Sequence, residues 1–102
     1  MEKIIIASDH AAFEQKEKLK EILGGTYDLV DLGTDSEDSV HYPLFGQMIA
    51  NKVLEENVRG IALCGSGIGI SIQVNRFKGI RGALCRDTED AKMSRLHNDS
   101  NI

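Results

Sequence analysis

The sequence lacks the features that mark a secreted, membrane-bound or nucleic-acid-binding protein. It contains one proline, two cysteines and no tryptophan, and its first apolar run, Ile4 to Ala7, is far too short for a signal peptide or a membrane span. Two cysteines are too few for a disulfide scaffold, so we expect reduced thiols and a cytoplasmic protein. Acidic residues outnumber basic ones by 16 to 12, which excludes the broad positive field that attracts nucleic acid.

The amino-acid composition is typical of one globular domain. Apolar residues make up 41% and charged residues 27% of the 102 positions, close to the average of globular proteins. This length allows one core and is too short for two ordinary domains. We therefore predict a single domain over residues 1–102.

Short apolar runs alternate with amphipathic stretches along the chain, a pattern typical of βαβ units. The first run is rich in β-branched residues, as expected for a parallel strand buried on both faces. We predict a three-layer, Rossmann-like α/β fold with a mainly parallel sheet. The predicted strands are residues 3–7, 27–32, 59–64 and 80–85, and the predicted helices are 11–23, 43–54, 68–74 (terminated by Gly79) and 87–96, with 97–102 as a polar loop that enters a further strand.

Residues capable of chemistry follow two of the predicted strands. Asp9 and His10 come directly after the first strand, and a glycine-rich loop from Cys64 to Gly69 follows the third. Ligands of open parallel sheets bind beyond the carboxyl ends of the strands, so we expect these residues to form one site. Asp9 also suits the N-cap of the helix that follows, a role compatible with ligand contact.

The loop Cys64-Gly65-Ser66-Gly67-Ile68-Gly69 has the elements of a proton-transfer site. A thiol that faces a helix N-terminus is stabilised as the thiolate and can act as a base. Glycine N–H groups and the Ser66 hydroxyl can bind a developing oxyanion. The alternative is a buried structural cysteine beside an ordinary glycine turn. The glycine spacing is not that of a dinucleotide fingerprint, and neither cysteine has the spacing of a metal ligand.

Six motifs in order resemble ribose-5-phosphate isomerase type B, over essentially the whole chain. The resemblance implies interconversion of D-ribose 5-phosphate and D-ribulose 5-phosphate through an enediolate, without metal or cofactor, in a homodimer or dimer of dimers with pockets between subunits. The motifs are Ser8-Asp9-His10-Ala11, Asp31-Leu32-Gly33-Thr34, Tyr42-Pro43, Cys64-Gly65-Ser66-Gly67-Ile68-Gly69, Gly79-Ile80-Arg81 and Ser94-Arg95-Leu96-His97-Asn98-Asp99.

The resemblance also implies a role for each site residue. Cys64 would move the proton between C1 and C2, and His97 would assist ring opening. Ser66 and the backbone of Gly65, Gly67, Ile68 and Gly69 would hold the enediolate oxygen. Asp9 would contact the ring, His10 would contact the phosphate, Tyr42 would line the pocket and Asn98 would bind sugar oxygens. His41 is interpreted as a solvated loop residue.

A departure in length from the family pattern leaves alternatives open. Members of the family continue for several tens of residues, so we expect the sheet here to lack its C-terminal strand and helix, together with the arginines that clasp the phosphate. Arg81, Arg86 and Arg95 cannot be assumed to replace them. The alternatives are an isomerase of allose or galactose 6-phosphate, a phosphosugar-binding domain without turnover, and, with little support from the spacing of Cys64 and Cys85, a thiol redox protein.

Overall fold

A parallel three-stranded sheet forms the centre of the computed structural model, which describes residues 1–33 and 42–102, without the side chains of residues 42–44. The strand order is β2-β1-β3. The described elements are β1 (Lys3–Ser8), a 3-10 helix (His10–Ala12), α1 (Phe13–Leu23), β2 (Asp28–Asp31), α2 (Tyr42–Glu56), β3 (Arg59–Leu63), α3 (Ile68–Val74) and α4 (Thr88–Asn98).

The central strand β1 is buried on both faces, as its β-branched sequence predicts. Ile5, Ile6 and Ala7 have no exposed surface. Ile5 and Ala7 belong to the core formed with α2 and α3, and α1 covers the opposite face, where Lys16 of α1 reaches Asp31 of β2. The three-layer α/β prediction is therefore confirmed.

Glycines permit close packing on the α2 side of the sheet. A Cβ atom added to Gly60 of β3 would lie 2.8 Å from Val53 of α2, and one added to Gly46 of α2 would lie 2.5 Å from Gln73 of α3. Any side chain at these two positions would push the neighbouring element away. The packing of α2 and α3 against β3 and its following loop therefore requires glycine at both positions.

The predicted strand over residues 80–85 is absent from the sheet, and that prediction is wrong. A strand needs a continuous ladder of bonds to a neighbour, but residues 100–102 separate this segment from β3. The Asn101 amide donates to the Arg81 carbonyl at 3.0 Å, and the Asn101 carbonyl accepts from the Gly60 amide at 2.8 Å. The Ala83 amide also donates to the Ile102 carbonyl at 2.9 Å, and among the described residues no backbone bond from residues 100–102 reaches beyond Ala83.

Two helix boundaries also differ from the predictions. Helix α3 is capped at Asn75, so Gly79, with φ of 95°, lies in the following turn and does not end the helix. Helix α4 continues through His97 and Asn98, which were predicted to lie in a loop. Thr34 of the second motif and His41 lie outside the described residues. In the part of the chain that the structure describes, no helix is long and apolar enough to cross a bilayer.

Candidate active site

The candidate site lies where the carboxyl ends of β1 and β3 meet. From β1 the chain passes to β2 on one side and then crosses to β3 on the other, and ligands of open α/β sheets bind at such a reversal of strand order. The Asp9 amide donates to the Leu63 carbonyl at 3.1 Å. A Cβ atom added to Gly65 would lie 3.7 Å from Ala11. The structure therefore brings the Asp9-His10 and Cys64 segments together, as the sequence predicts.

Asp9 has the predicted N-cap role. Its side chain accepts a hydrogen bond from the Ala12 amide at 3.1 Å, and the residue is 8% exposed. This bond engages Oδ1, so the cap is compatible with a ligand contact through the other carboxylate oxygen. His10 begins the 3-10 helix and is half-buried beside it.

The Cys64 loop turns its thiol toward the start of α3. Cys64 is half-buried, and its Sγ accepts a hydrogen bond from the Gly67 amide at 3.1 Å. Gly67 has a left-handed backbone with φ of 80°, and a Cβ atom added there would lie 2.7 Å from Leu84. Glycine at this position is therefore required both by the backbone and by the space available. The bond from Gly67 fixes the position of the sulfur at the start of α3.

The backbone of the same loop offers fewer oxyanion donors than the sequence predicts. The Gly67 amide is bonded to Cys64, and the Ile68 amide donates to the Ser66 Oγ at 3.2 Å. Within the described residues, the amides of Gly65, Ser66 and Gly69 donate no hydrogen bond. The oxyanion role is thus available to these three amides, and Ser66 can accept from Ile68 while donating its own hydroxyl hydrogen to a ligand.

His97 and Asn98 do not lie beside Cys64 within one protomer. Helix α4 starts just after the carboxyl edge and runs about 16 Å over its 11 residues. Its far end is followed by Asn101, whose carbonyl bonds Gly60 near the amino end of β3. Both side chains are exposed at that opposite edge. The side chain of Tyr42, the remaining predicted pocket residue, lies outside the described residues.

Two of the three arginines considered for the phosphate have structural partners. Arg81 donates to the Asp99 carbonyl at 2.8 Å, and Arg95 contacts the Asp99 carboxylate at 3.2 Å and also the Ser100 carbonyl. These partners lie toward the amino edge of the sheet, although Arg95 also lines the cavity that reaches Cys64. Arg86 follows the carboxyl edge and is exposed.

A charged cluster behind the site was not predicted from the sequence. Lys16 has no exposed side-chain surface and donates to both carboxylate oxygens of Asp31, at 2.8 and 2.9 Å. Lys20 and the Gly33 amide also donate to this carboxylate. Burial raises the pKa of Asp31, but the bonds from Lys16, Lys20 and Gly33 outweigh it, so that its pKa lies below the ordinary 3.8.

The Asp31 cluster helps to position the end of β1. The Gly33 carbonyl accepts a hydrogen bond from the Ser8 amide at 2.8 Å, one residue before Asp9. Ser8 is fully buried, and its hydroxyl has no hydrogen-bond partner among the described residues.

The sequence alone does not identify Lys16 as a buried residue, because it is one of several lysines in a charged helix.

Comparisons with known proteins agree with the motifs. The family model described as Ribose/Galactose Isomerase matches residues 4–102. The chain is 36% identical to ribose-5-phosphate isomerase B of Escherichia coli, covering 100% of this chain and 70% of the relative. It is 39% identical to a galactose-6-phosphate isomerase subunit of Clostridium acetobutylicum, covering 97% of this chain and 58% of that subunit. A crystal structure of a Thermotoga maritima ribose 5-phosphate isomerase matches with a TM-score of 0.94 and 49% identity, over 98% of this chain and 70% of the other.

Proposed function

Because the chain belongs to the ribose/galactose isomerase family, we propose that it interconverts D-ribose 5-phosphate and D-ribulose 5-phosphate. This reaction is supported by the position of the Cys64 thiol, which lies in the same loop as the amides of Gly65, Ser66 and Gly69. Among the described residues, these three N–H groups have no hydrogen-bond acceptor. Deprotonation beside a carbonyl needs a base and an oxyanion site, and this loop supplies both.

In the proposed reaction, the Cys64 thiolate removes the proton from C2 of the open-chain aldose. The electron pair of that C–H bond forms the C1–C2 double bond, and the carbonyl oxygen becomes the enediolate oxygen. The loop amides and the Ser66 hydroxyl donate to that oxygen. The proton of the C2 hydroxyl passes to the C1 oxygen, and the thiol returns its proton to C1 as the C2 oxygen becomes the carbonyl of the ketose.

The remaining residues bind the substrate in this proposal. Asp9 contacts the ring or its hydroxyls, and His10 contacts the phosphate. Tyr42 lines the pocket, Asn98 binds sugar oxygens, and His97 assists ring opening.

We propose that His97 and Asn98 act on the site of a second protomer in a homodimer. Within one protomer they lie at the opposite edge from Cys64, so a single chain does not assemble the full set. The exposed isoleucines Ile68 and Ile72 lie one turn apart on α3, 52% and 57% exposed, and offer an apolar surface beside the loop.

The alternative substrate is another aldose phosphate, such as galactose or allose 6-phosphate. The similarity to the galactose-6-phosphate isomerase subunit supports it. The length of the bound sugar depends on pocket residues that include Tyr42. A third possibility is that the chain binds a sugar phosphate without turning it over.

The deciding experiment measures solvent deuterium incorporation at C2 of ribose 5-phosphate. Turnover and equilibrium binding are then compared for the phosphates of ribose, allose and galactose. We expect Cys64→Ala to lose about 100- to 10,000-fold in exchange while keeping affinity, because the base contributes mainly to the transition state. The exposed Cys85 provides the matched control, since Cys85→Ala removes a thiol outside the loop. Exchange at the parent rate in Cys64→Ala would show that this thiol is not the base, and binding without exchange in the parent would support the binding-domain alternative.

A further inference from the structure

The end of β2 departs from a regular parallel ladder beside the candidate site. Because Ile6 is paired with Asp31, regular pairing would bring the Ser8 amide to the Leu32 carbonyl. The Ser8 amide instead donates to the carbonyl of Gly33, one residue further along the chain, at 2.8 Å. Gly33 has φ of 110°, a backbone conformation that glycine adopts without strain. The chain therefore turns at Gly33, and this turn holds the last residue of β1 on the side that faces β2.

The Asp31 carboxylate fixes the Gly33 turn. Its Oδ1 accepts a hydrogen bond from the Gly33 amide at 2.8 Å, the bond of an Asx turn, in which an aspartate side chain accepts from the backbone two residues later. Gly33 is thus bonded through its amide to Asp31 and through its carbonyl to Ser8. The Ser8 hydroxyl has no hydrogen-bond partner among the described residues, so it adds no polar contact of its own. The position of Ser8 on this side of β1 therefore depends on the bond between Asp31 and Gly33.

Two lysines of α1 hold the Asp31 carboxylate in the orientation that this turn requires. Lys16, with no exposed side-chain surface, donates to both carboxylate oxygens at 2.8 and 2.9 Å, and Lys20 donates to Oδ2 at 2.7 Å. A buried ion pair contributes little net stability, because an apolar pair of similar volume packs as well without the desolvation cost of two charges. Stability alone therefore does not account for a buried charge here, whereas the fixed orientation of the carboxylate does.

A short series of backbone bonds connects the Gly33 turn to the candidate site. Ser8, which bonds the Gly33 carbonyl, directly precedes Asp9. The Asp9 amide donates at 3.1 Å to the carbonyl of Leu63, the residue before Cys64. A shift of the Gly33 turn would therefore change the position of Asp9 relative to Cys64.

We propose that Asp31 is a positioning residue of the isomerase site, because its carboxylate sets the Gly33 turn. Through this turn it fixes the distance between Asp9 and the Cys64 thiol. The inference rests on the proposed function, in which Asp9 contacts the sugar and Cys64 moves its proton. Asp31 acts through the backbone of Gly33 and Ser8 and takes no part in proton transfer. The essential feature is an oxygen that accepts from the Gly33 amide, and the charge serves to orient that oxygen.

Two double variants of nearly equal size separate the oxygen from the charge. Lys16→Met with Asp31→Asn removes both charges but keeps an oxygen for the Gly33 amide, whereas Lys16→Met with Asp31→Leu removes that oxygen as well. Replacing Lys16 in both variants avoids an unpaired buried ammonium. For each variant we would measure kcat and KM with ribose 5-phosphate and the hydrogen-exchange rate of the Ser8 amide by NMR. Circular dichroism under the assay conditions gives the folded fraction to which the rates are normalised.

The leucine variant should lose about 10- to 100-fold in kcat, because a displacement of about 1 Å is enough to misalign the base and the substrate. Its KM should stay within about 5-fold of the parent, since alignment affects the transition state more than binding. Its Ser8 amide should exchange at least about 10-fold faster, because the Gly33 acceptor is no longer held in place. The asparagine variant should keep kcat and the Ser8 exchange rate within about 3-fold of the parent, a rescue that a role of the ion pair in stability alone does not predict.

The matched control removes an ion pair at the other end of β1. Lys3 of β1 contacts Glu56 of α2 at 2.8 Å, so Lys3→Met with Glu56→Gln loses a pair between sheet and helix and should keep kcat within about 2-fold. Equal kcat values in the leucine and asparagine variants, or a Ser8 amide that stays protected in the leucine variant, would overturn the proposal. If the leucine variant does not fold, Lys16→Met with Asp31→Ala takes its place.

The same measurements distinguish a failure of this proposal from a failure of the proposed function. A parent chain that does not turn over ribose 5-phosphate would overturn the reaction and with it the effect of Asp31 on kcat. The Ser8 amide would still show whether Asp31 sets the Gly33 turn. An active parent whose leucine variant keeps its kcat would leave the reaction standing and refute the positioning role.

Discussion

Replacing Asp31 by asparagine tests whether the buried Lys16 depends on this carboxylate. Asparagine keeps the shape of the side chain but removes its charge, so Lys16, which has no exposed side-chain surface, loses the carboxylate that it contacts at 2.8 and 2.9 Å. Breaking a buried ion pair from one side costs about 3–5 kcal/mol. Glu17, at 3.8 Å from the Lys16 ammonium and 42% exposed, offsets little of this. We expect a loss of about 3 kcal/mol in the free energy of unfolding.

Urea denaturation followed by circular dichroism measures this loss. With a slope of about 2 kcal/mol per molar urea, the midpoint should fall by roughly 1.5 M. The matched control is Asp31→Asn combined with Lys16→Met, which removes the buried charge as well and should be more stable than Asp31→Asn alone. A midpoint that hardly moves, or a double variant less stable than the single one, would refute the argument.

The same variant has a defined dependence on pH. The folded-state pKa of Asp31 lies below its ordinary 3.8, so the unfolded state binds the proton more readily. The stability that Asp31 contributes is therefore fully present above its ordinary pKa and is lost as the pH falls through the lower, folded-state value. The difference in stability between the parent and Asp31→Asn should stay constant near neutral pH and shrink only below about pH 3.8. A difference that disappears at a higher pH would contradict the assignment.

Three further predictions concern the Cys64 loop, the far end of α4 and the contact between Asn75 and Gly82. Gly67→Ala should lower stability by about 1–3 kcal/mol in thermal unfolding, because its left-handed backbone and the 2.7 Å approach of Leu84 both disfavour a side chain; an unchanged melting temperature would contradict this. His97→Asn should reduce initial rates with ribose 5-phosphate more than with ribulose 5-phosphate, which forms no furanose ring, and equal losses would argue against a role in ring opening. Asn75→Asp should destabilise the chain by about 0.5–1.5 kcal/mol, because a carboxylate cannot donate to the Gly82 carbonyl; urea denaturation that matches the parent would refute it.

Local chemistry in the sequence predicts much of the fold and half of the site. The Asp9 and Asp87 caps follow from side chains that bond amides only three positions away. The β-branched run predicts β1, and the order of the strands brings Asp9 and Cys64 to one edge. These features are determined by neighbours close in sequence or by general rules of parallel sheets, so a single sequence is sufficient to predict them.

What the sequence does not predict depends on partners that are distant in the chain. Residues 80–85 have the composition of a strand, but a strand also requires a bonded neighbour along its length. Lys16 resembles the solvated lysines around it, and only the position of Asp31 makes it a buried ion. His97 belongs to a motif of the family, yet the length of α4 carries it to the opposite edge from Cys64.

The pairing of β1 with β3 has a consequence for folding during translation. Ile5 pairs with Gly60, about 55 positions later in the chain. Because translation adds roughly 5–20 residues per second, several seconds pass between the synthesis of the isoleucine-rich strand β1 and the synthesis of β3. The edge of β1 that faces β3 therefore has no strand partner until then, and the speed of translation through α2 sets how long this lasts.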